Sequence, residues 1–260
     1  MPVQFLRFTY IGGPTALLEF GAMRLLTDPT FDPAPTAYEL KVYTLRKTHA
    51  PALDAKELGK IDVVLLSHDH HMDNLDQAGR AMLGEAGLVL TTKDGAERLG
   101  GNARGMVAWD QMTLPTEDGR VLHVIATPAR HGPAGGDRGP VIGFVLFYED
   151  APKDVVYVSG DTVWFEGVEE VARKFDVKAA VLFLGAAKVA VAGPSHLTFT
   201  ADEGVKVARA MPRAKIIPAH FEGWEHFSQG RADIERAFAD AKMADRLVWG
   251  EAGRSVEVRI

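Results

Sequence analysis

The 260-residue sequence contains no cysteine. This absence excludes disulfide bonds, a thiolate nucleophile, zinc fingers and cysteine-bound iron–sulfur clusters. Any metal ion must therefore be held by histidine, aspartate or glutamate, and the chain has nine histidines for that purpose.

An excess of positive charge and long apolar runs are also missing. Lys and Arg number 29 against 35 Asp and Glu, so the formal net charge is −6. Without a basic stripe to neutralise phosphates, we expect no nucleic-acid partner.

No run approaches the roughly 18 apolar residues of a membrane span, and Met1–Tyr10 lacks the basic-then-apolar order of a signal peptide. We therefore expect a cytoplasmic protein that does not bind membranes.

No linker or low-complexity segment divides the chain, which predicts a single domain over residues 1–260. Short apolar strands alternate with helical patterns, and this predicts an α/β layered architecture. A hairpin signal at Gly21-Ala22 joins two early strands, and a proline-rich segment from Pro29 to Pro51 is expected to cover a pocket. The later predicted strands are Ile61–Leu66, Leu88–Thr92, Val121–Ala126, Val141–Tyr148, Asp154–Ser159, Ala180–Leu184 and Lys215–Ile217. Helices are predicted from about Leu75 and near Phe165–Phe175, Ala201–Met211 and Ala232–Ala241, the third with a Thr200/Glu203 capping box.

Polar residues follow four of these apolar strands directly. They are Ser67–Asn74, Thr127–His131, Ser159–Thr162 and Pro218–His220. Buried strands that carry functional groups at their carboxyl ends place those groups along one edge of a sheet, where ligands commonly bind.

The first of these clusters has the composition of a metal site. His68 and His70 are separated by one residue, so both imidazoles face the same side of an extended backbone. Imidazole is a strong ligand for zinc and similar ions, and Asp73 adds a carboxylate. Asn74 is a poor metal ligand, and we expect it to cap the helix that follows.

Together these motifs resemble the metallo-β-lactamase superfamily, and above all its cytoplasmic branch of metal-dependent hydrolases. That branch includes ascorbate-6-phosphate lactonase and the phospholipase D that cleaves N-acylethanolamine phospholipids. The resemblance implies a four-layer αβ/βα sandwich with the metals between its two sheets. It rests on the order and spacing of Gly12-Gly13, Leu26–Pro29, the histidine cluster, Ala129–Gly132, Ser159–Thr162 and Pro218–His220.

The resemblance also implies the ligands of two metal ions. His68, His70 and His131 would hold the first ion, Asp161 would bridge the two, and His220 would help to hold the second. Because histidine dominates this set, we expect two zinc ions, with manganese or iron as the alternatives.

One departure from the family pattern affects the second ion. The family reads His-x-His-x-Asp-His, whereas this chain reads His-x-His-His-x-Asp-Asn over residues 68–74. Asp73 is a ligand candidate whether or not a one-residue gap is placed when residues 68–74 are aligned with the family motif. His71 is either a compensating metal ligand or a residue that contacts and supports the ligands.

These ligands predict a hydrolase, since a bound divalent ion lowers the pKa of water from 15.7 to about 7. Asp73 would orient that water and accept its proton, and His196 is a candidate for contact with the substrate or a developing oxyanion. The expected partner is a small ester, lactone or phosphodiester. The alternative is a non-catalytic or mononuclear metal-binding or sensing module on the same fold. The sequence leaves homo-oligomerisation open.

Several further residues have two readings. Arg130 and Arg138 would bind an anionic substrate group or remain solvated, and Arg138 lies in the loop Gly132–Pro140. His226 is expected to form a pocket wall or to pack, and Asp28 to make a structural hydrogen bond near the metals.

Overall fold

The computed structural model of the chain describes residues 4–135 and 138–260. Gly136 and Asp137, in the middle of the predicted loop 132–140, lie outside the described residues, as do residues 1–3. The strands are β1 Phe5–Gly12, β2 Thr15–Phe20, β3 Met23–Thr27, β4 Thr36–Glu39, β5 Thr44–Lys47, β6 Val63–Leu65, β7 Leu88–Thr92, β8 Ala103–Met106, β9 Gln111–Pro115, β10 Val121–Pro128, β11 Ile142–Tyr148, β12 Ala151–Val158, β13 Val177–Phe183, β14 Lys215–Ala219 and β15 Ser255–Arg259. The α-helices are α1 Gln77–Met82, α2 Lys93–Leu99, α3 Glu166–Lys174, α4 Ala201–Ala210 and α5 Arg231–Asp240.

Two mixed sheets lie face to face, and helices cover their outer faces. The first sheet has the strand order β15-β1-β2-β3-β6-β7-β8 and the second β14-β13-β12-β11-β10-β9. Apolar side chains of α1 and α2 pack on the outer face of the first sheet. Those of α3, α4 and α5 join the large core that also fills the space between the sheets. This is the four-layer αβ/βα sandwich that the family resemblance implies.

The direct contact between Phe20 and Tyr148 illustrates how the sheets meet. Their rings pack edge to face with centroids 5.0 Å apart, and the Tyr148 hydroxyl donates to the carbonyl oxygen of Phe20 at 2.7 Å. Both side chains are fully buried. The aromatic contact therefore joins β2 to β11 without leaving the phenol group unpaired.

Local sequence patterns predicted most elements of the two sheets. The β2–β3 hairpin, β7 and β10–β14 appear within a few residues of their predicted bounds. The capping box is confirmed, because the Thr200 hydroxyl accepts from the Glu203 amide and the Glu203 carboxylate accepts from the Thr200 amide. Five strands and one helix were not predicted: β4, β5, β8, β9, β15 and α2.

The predicted start of α1 is wrong by two residues. Asp76, and not Asn74, is the residue that caps this helix. Its carboxylate accepts from the Gly79 amide at 2.8 Å. The backbone turns first, with the amides of Asn74 and Leu75 donating to the carbonyl of His71. This extra turn moves the helix start to Gln77.

The strand directions bring the functional segments together. β3 and β6 are parallel neighbours, and β12, β13 and β14 are parallel in the second sheet. β10 runs in the same direction as β12, because both pair antiparallel with β11. The carboxyl ends of the strands that precede the polar clusters therefore meet at one edge of the sandwich. Within the described ranges, no helix is both long and apolar enough to cross a membrane.

Candidate metal centre

The loops after β6 and β12 contact each other directly at this edge. The Ile142 amide donates to the Ser67 carbonyl at 3.1 Å, which joins the two sheets next to His68. Gly160 has a φ of +59°, and a Cβ there would lie 2.8 Å from the Cβ of Ser67. Only glycine fits this close approach, which places Asp161 opposite the histidine cluster.

Three imidazoles converge above the first sheet. The Nε2 atom of His68 lies 2.9 Å from Nδ1 of His71, and Nε2 of His131 lies 3.1 Å from the same atom. One Asp161 carboxylate oxygen lies 3.5 Å from Nε2 of His131. Ligand atoms of His68, His131 and Asp161 all fall within 4.8 Å of one another.

His70 lies at the outer side of this group. Its Nε2 atom donates to the carbonyl oxygen of Arg138 at 2.9 Å, and the residue is exposed. A ligand atom of His70 is nonetheless within 4.8 Å of those of His68 and His71. The structure thus brings His70 near the cluster, while His71 stands between His68 and His131.

A second group forms around Asp73. One of its carboxylate oxygens lies 3.5 Å from Nε2 of His220 and 3.0 Å from Nε2 of His226. Nδ1 of His220 lies 3.6 Å from the second oxygen of Asp161, so Asp161 lies between the two groups. His220 has a φ of +51°, and a non-glycine residue in this region is strained. Its amide donates to the Gly13 carbonyl at 2.7 Å, which stabilises the turn.

Burial keeps the imidazoles neutral, which is the form that binds metals. Burial, together with the neighbouring histidines, holds the pKa of His68 and of His71 well below the ordinary value. Burial lowers the pKa of His131 to about 4 and also lowers that of His220. Each residue therefore presents a lone pair at neutral pH.

The pKa values of the two aspartates, Asp161 and Asp73, are shifted in opposite directions. Burial and the charges of Asp73 and Asp28 raise the pKa of Asp161 well above its usual range. Burial acts in the same sense on Asp73, but His226 and His220 outweigh it and hold that pKa well below the ordinary value. Histidine contacts therefore lower the pKa of Asp73, whereas neighbouring carboxylates raise that of Asp161.

The donor atoms of this centre fit divalent ions. Both oxygens of Asp161 and both nitrogens of His220 are fully buried and make no hydrogen bond within the described residues. Leaving such groups unpaired costs free energy, and a cation between them would satisfy them. Ligands of one tetrahedral zinc ion lie about 3.3–3.4 Å apart. The separations of 2.9–3.6 Å found here bracket that distance.

Two buried carboxylates support the His68 segment from behind. Asp28 accepts from the amide and the hydroxyl of Ser67, which confirms its predicted structural hydrogen bond. Asp69 accepts from Nε of Arg98 at 2.9 Å. These contacts fix the backbone on both sides of His68.

A small cavity opens over the two groups. Tyr43 and Leu45, from the β4–β5 hairpin, form part of its wall, which confirms that the proline-rich segment covers a pocket. The other lining residues are His71, Asp73, His131, Arg138, Ala187, Val189, Leu197 and His226.

Other sequence candidates lie further away. His196 is half-buried outside the lining of this cavity, and burial, with the charge of Lys188, lowers its pKa. Arg130 packs on the Phe165 ring, 4.7 Å from its centroid, and so turns toward α3. The roles predicted for these two residues stay predictions.

His226 lines the cavity, which confirms the expectation that it forms a pocket wall. Sequence reasoning missed a second feature of this residue: its Nε2 atom lies closer to Asp73 than that of His220 does. The signal available was a second histidine six residues after His220, combined with an asparagine at position 74.

Comparison with known proteins gives a consistent assignment. Residues 23–221 match the family model described as "Beta-lactamase superfamily domain". The chain is 26% identical over 234 residues to a UPF0173 metal-dependent hydrolase of Pyrobaculum aerophilum, covering 88% of this chain and 90% of that protein.

Two solved structures share the fold over nearly the whole chain. An isothiocyanate hydrolase from Delia radicum gut bacteria superposes with a TM-score of 0.83 at 20% identity, covering 98% of this chain and all of that one. A structure described as a possible metal-dependent hydrolase from Veillonella parvula has a TM-score of 0.81, also at 20% identity, and covers 96% and 98%.

Proposed function

The chain belongs to the beta-lactamase superfamily, and we propose that it is a metal-dependent hydrolase of small esters or lactones, with phosphodiesters as the third substrate class. The observation that carries the proposal is the unpaired Asp161 carboxylate, which lies between His131 and His220 at 3.5 and 3.6 Å. When bound there, divalent ions would supply an activated water and polarise the substrate oxygen. Zinc is the proposed metal because the donors are mainly imidazole.

The low pKa of Asp73 defines what this residue does. A carboxylate held ionised by His226 and His220 is a strong ligand and a weak proton acceptor. Asp73 therefore suits metal ligation and the orientation of the attacking water better than storage of a proton. The role of general base predicted for Asp73 is accordingly the weaker of its two proposed roles.

The cavity supports a small and largely uncharged substrate. Tyr43, Leu45, Val189 and Leu197 form an apolar wall, and Arg138 is the one Lys or Arg among the lining residues that the structure describes. An apolar wall with few polar groups orients a substrate by shape, and a single guanidinium can bind one anionic or carbonyl group. Phosphodiesters would gain less from this lining than esters or lactones.

A substrate panel on the zinc-loaded protein tests the proposal. The panel contains p-nitrophenyl acetate, γ- and δ-lactones, bis(p-nitrophenyl) phosphate and an alkyl isothiocyanate, the last because a structural neighbour is described as an isothiocyanate hydrolase. We expect metal-dependent turnover of the ester or lactones that a chelator and His68→Ala both abolish. His49→Ala, a change at an exposed histidine, is the matched control and keeps the activity.

Two outcomes would contradict this function. A protein that binds two metal ions and turns over no compound in the panel would favour the binding or sensing module. Turnover that persists after a chelator has removed the metal would show that hydrolysis does not require a metal ion.

A further inference from the structure

The neighbouring residues His70 and His71 do not have equivalent positions. His70 donates from Nε2 to the Arg138 carbonyl at 2.9 Å and is exposed. His71 directs Nδ1 toward both His68 and His131, at 2.9 and 3.1 Å.

Hydrogen bonds determine which nitrogens of His68 and His131 carry protons. Nδ1 of His131 lies 2.8 Å from the carbonyl oxygen of Leu197, which can only accept. The Ser67 hydroxyl donates to Asp28 at 2.6 Å, so it accepts from Nδ1 of His68 at 2.9 Å. In both neutral imidazoles the proton is therefore on Nδ1, and Nε2 presents a lone pair.

Both lone pairs face the same atom, Nδ1 of His71. This nitrogen carries at most one hydrogen, which cannot serve both His68 and His131 well. Three lone pairs directed at one shared cation would satisfy all three imidazoles. The contact geometry thus favours His71 as a nitrogen ligand beside His68 and His131. The Nε2 proton of His70 is used by a backbone carbonyl, which leaves the Nδ1 lone pair of His70 free to bind a metal as well.

In the second group, Asn74 occupies the position where the family motif has a histidine. Asn74 is fully buried, and neither atom of its amide is hydrogen-bonded within the described residues. Its neutral amide is a poor zinc ligand. Nε2 of His226 lies 3.0 Å from a carboxylate oxygen of Asp73, and Nε2 of His220 lies 3.5 Å from the same oxygen.

The loop after β14 positions His226. Its carbonyl oxygen accepts from the Lys188 amide at 2.9 Å, and its ring lies between those of Phe227 and Trp224, with centroid distances of 4.6 and 6.4 Å. Its Nδ1 atom is buried without a hydrogen bond in the described part of the chain. The imidazole is therefore positioned before any ligand binds.

We propose that His71 is a metal ligand beside His68 and His131, and that His226 is the ligand by which this chain compensates for the asparagine at position 74. His71 completes one position with His68, His131 and Asp161. His226 completes the other with Asp73, His220 and Asp161. The inference rests on the proposed metal dependence, and it assigns the two positions without requiring a particular substrate.

A pair of variants tests the first position. His71→Ala and the control His49→Ala are loaded with zinc, and the metal per chain is measured by elemental mass spectrometry. We expect His71→Ala to retain about one ion fewer than the wild type. If the ion is kept, its affinity should fall by more than the roughly 10–100-fold that substitution of a residue supporting the ligands costs. His49→Ala, a change at an exposed histidine outside both groups, should retain the wild-type metal content.

A second pair tests the other position in the same way. His226→Ala should lose the second ion, whereas Asn74→Ala should keep it. Cobalt(II) substitution adds a spectroscopic readout, because the visible absorption of cobalt reports its ligands directly. The spectrum should change in His71→Ala and His226→Ala and stay unchanged in the two control variants. The conservative variants His71→Asn and His226→Gln, checked by circular dichroism, separate loss of a ligand from loss of folding.

The outcomes distinguish this inference from the proposed function. If His71→Ala keeps the metal content and zinc affinity of the wild type, or if Asn74→Ala and His226→Ala exchange their expected results, the ligand assignment is wrong even when the wild type hydrolyses its substrate. If the metal contents follow our expectation and no substrate is turned over, the assignment stands and the hydrolase proposal fails. A wild type that binds no zinc, manganese or iron overturns both.

Discussion

Nζ of Lys47 lies 2.9 Å from a carboxylate oxygen of Asp76, and both side chains are buried. Lys47 ends β5 of the hairpin that covers the cavity, and Asp76 is the residue that caps α1. Burial lowers the pKa of Lys47, and the charge of Asp76 opposes that shift. This ion pair therefore joins the cavity cover to the segment that carries the histidine cluster.

Removing one partner of this pair should destabilise the fold. In Lys47→Met the carboxylate of Asp76 keeps its backbone donors from Phe31, Asp32 and Gly79. We therefore expect the free energy of unfolding to fall by about 3 kcal/mol, the lower end of the range for a broken buried pair. Urea unfolding measures this, with the exposed Lys41→Met as control. A loss below about 1 kcal/mol would show that the pair contributes little.

Metal removal should lower the melting temperature of the wild type and not that of Asp161→Asn. Free metal at 100 times its dissociation constant stabilises by about 2.7 kcal/mol, which corresponds to roughly 5–10 °C for a chain of this size. The chelated variant should melt above the chelated wild type, because it lacks a buried and unpaired carboxylate. Thermal unfolding with zinc and with a chelator measures both effects. An equal response to zinc in the two proteins would exclude Asp161 as a ligand.

Asp28 should make the stability of the chelated protein depend on pH. Burial raises its pKa to about 8, so between its unfolded value near 4 and pH 8 the folded state binds the proton that the unfolded state has lost. Stability from this group is complete below about pH 4 and declines as the pH rises toward 8, by about 1.4 kcal/mol per unit.

Asp28→Asn removes this dependence, so the stability of the variant relative to the wild type should increase between pH 5 and pH 7. Urea unfolding of both proteins at pH 5, 6 and 7 with a chelator gives the comparison, with the exposed Asp240→Asn as control. A constant difference across this range would mean that Asp28 is already ionised in the folded protein.

Arg98 should influence metal binding without touching the metal. Its guanidinium pairs with the buried Asp69, which lies between His68 and His70 in the chain. Because the Arg98 side chain is about half exposed, we expect Arg98→Met to cost only about 1–2 kcal/mol of unfolding free energy. Zinc affinity should fall about 10-fold as the His68 backbone loosens. Competitive zinc titration tests this, and the exposed Arg209→Met should bind as the wild type does.

Local sequence patterns were sufficient to predict the strands and helices that have a clear hydrophobic period or a clear capping or turn signal at their ends. The strand at Leu88–Thr92 is found as predicted, and the box at Thr200 and Glu203 caps α4. The short strands β4 and β5 were missed because prolines dominate the surrounding segment and the hairpin packs against Trp224 from a distant loop. Packing across such separations leaves no periodic signal.

The sequence by itself determined the layered α/β fold, the kinds of donor atom and their positions at the carboxyl ends of strands. These features follow from local periodicity and from the composition of short motifs. Only the tertiary structure decided which histidines face one another. His70 and His71 are chemically identical neighbours. They differ in their contacts with the Arg138 carbonyl and the His131 ring, both more than 55 residues away in the chain. The same holds for His226, whose position beside Asp73 depends on the packing of a loop from the other sheet.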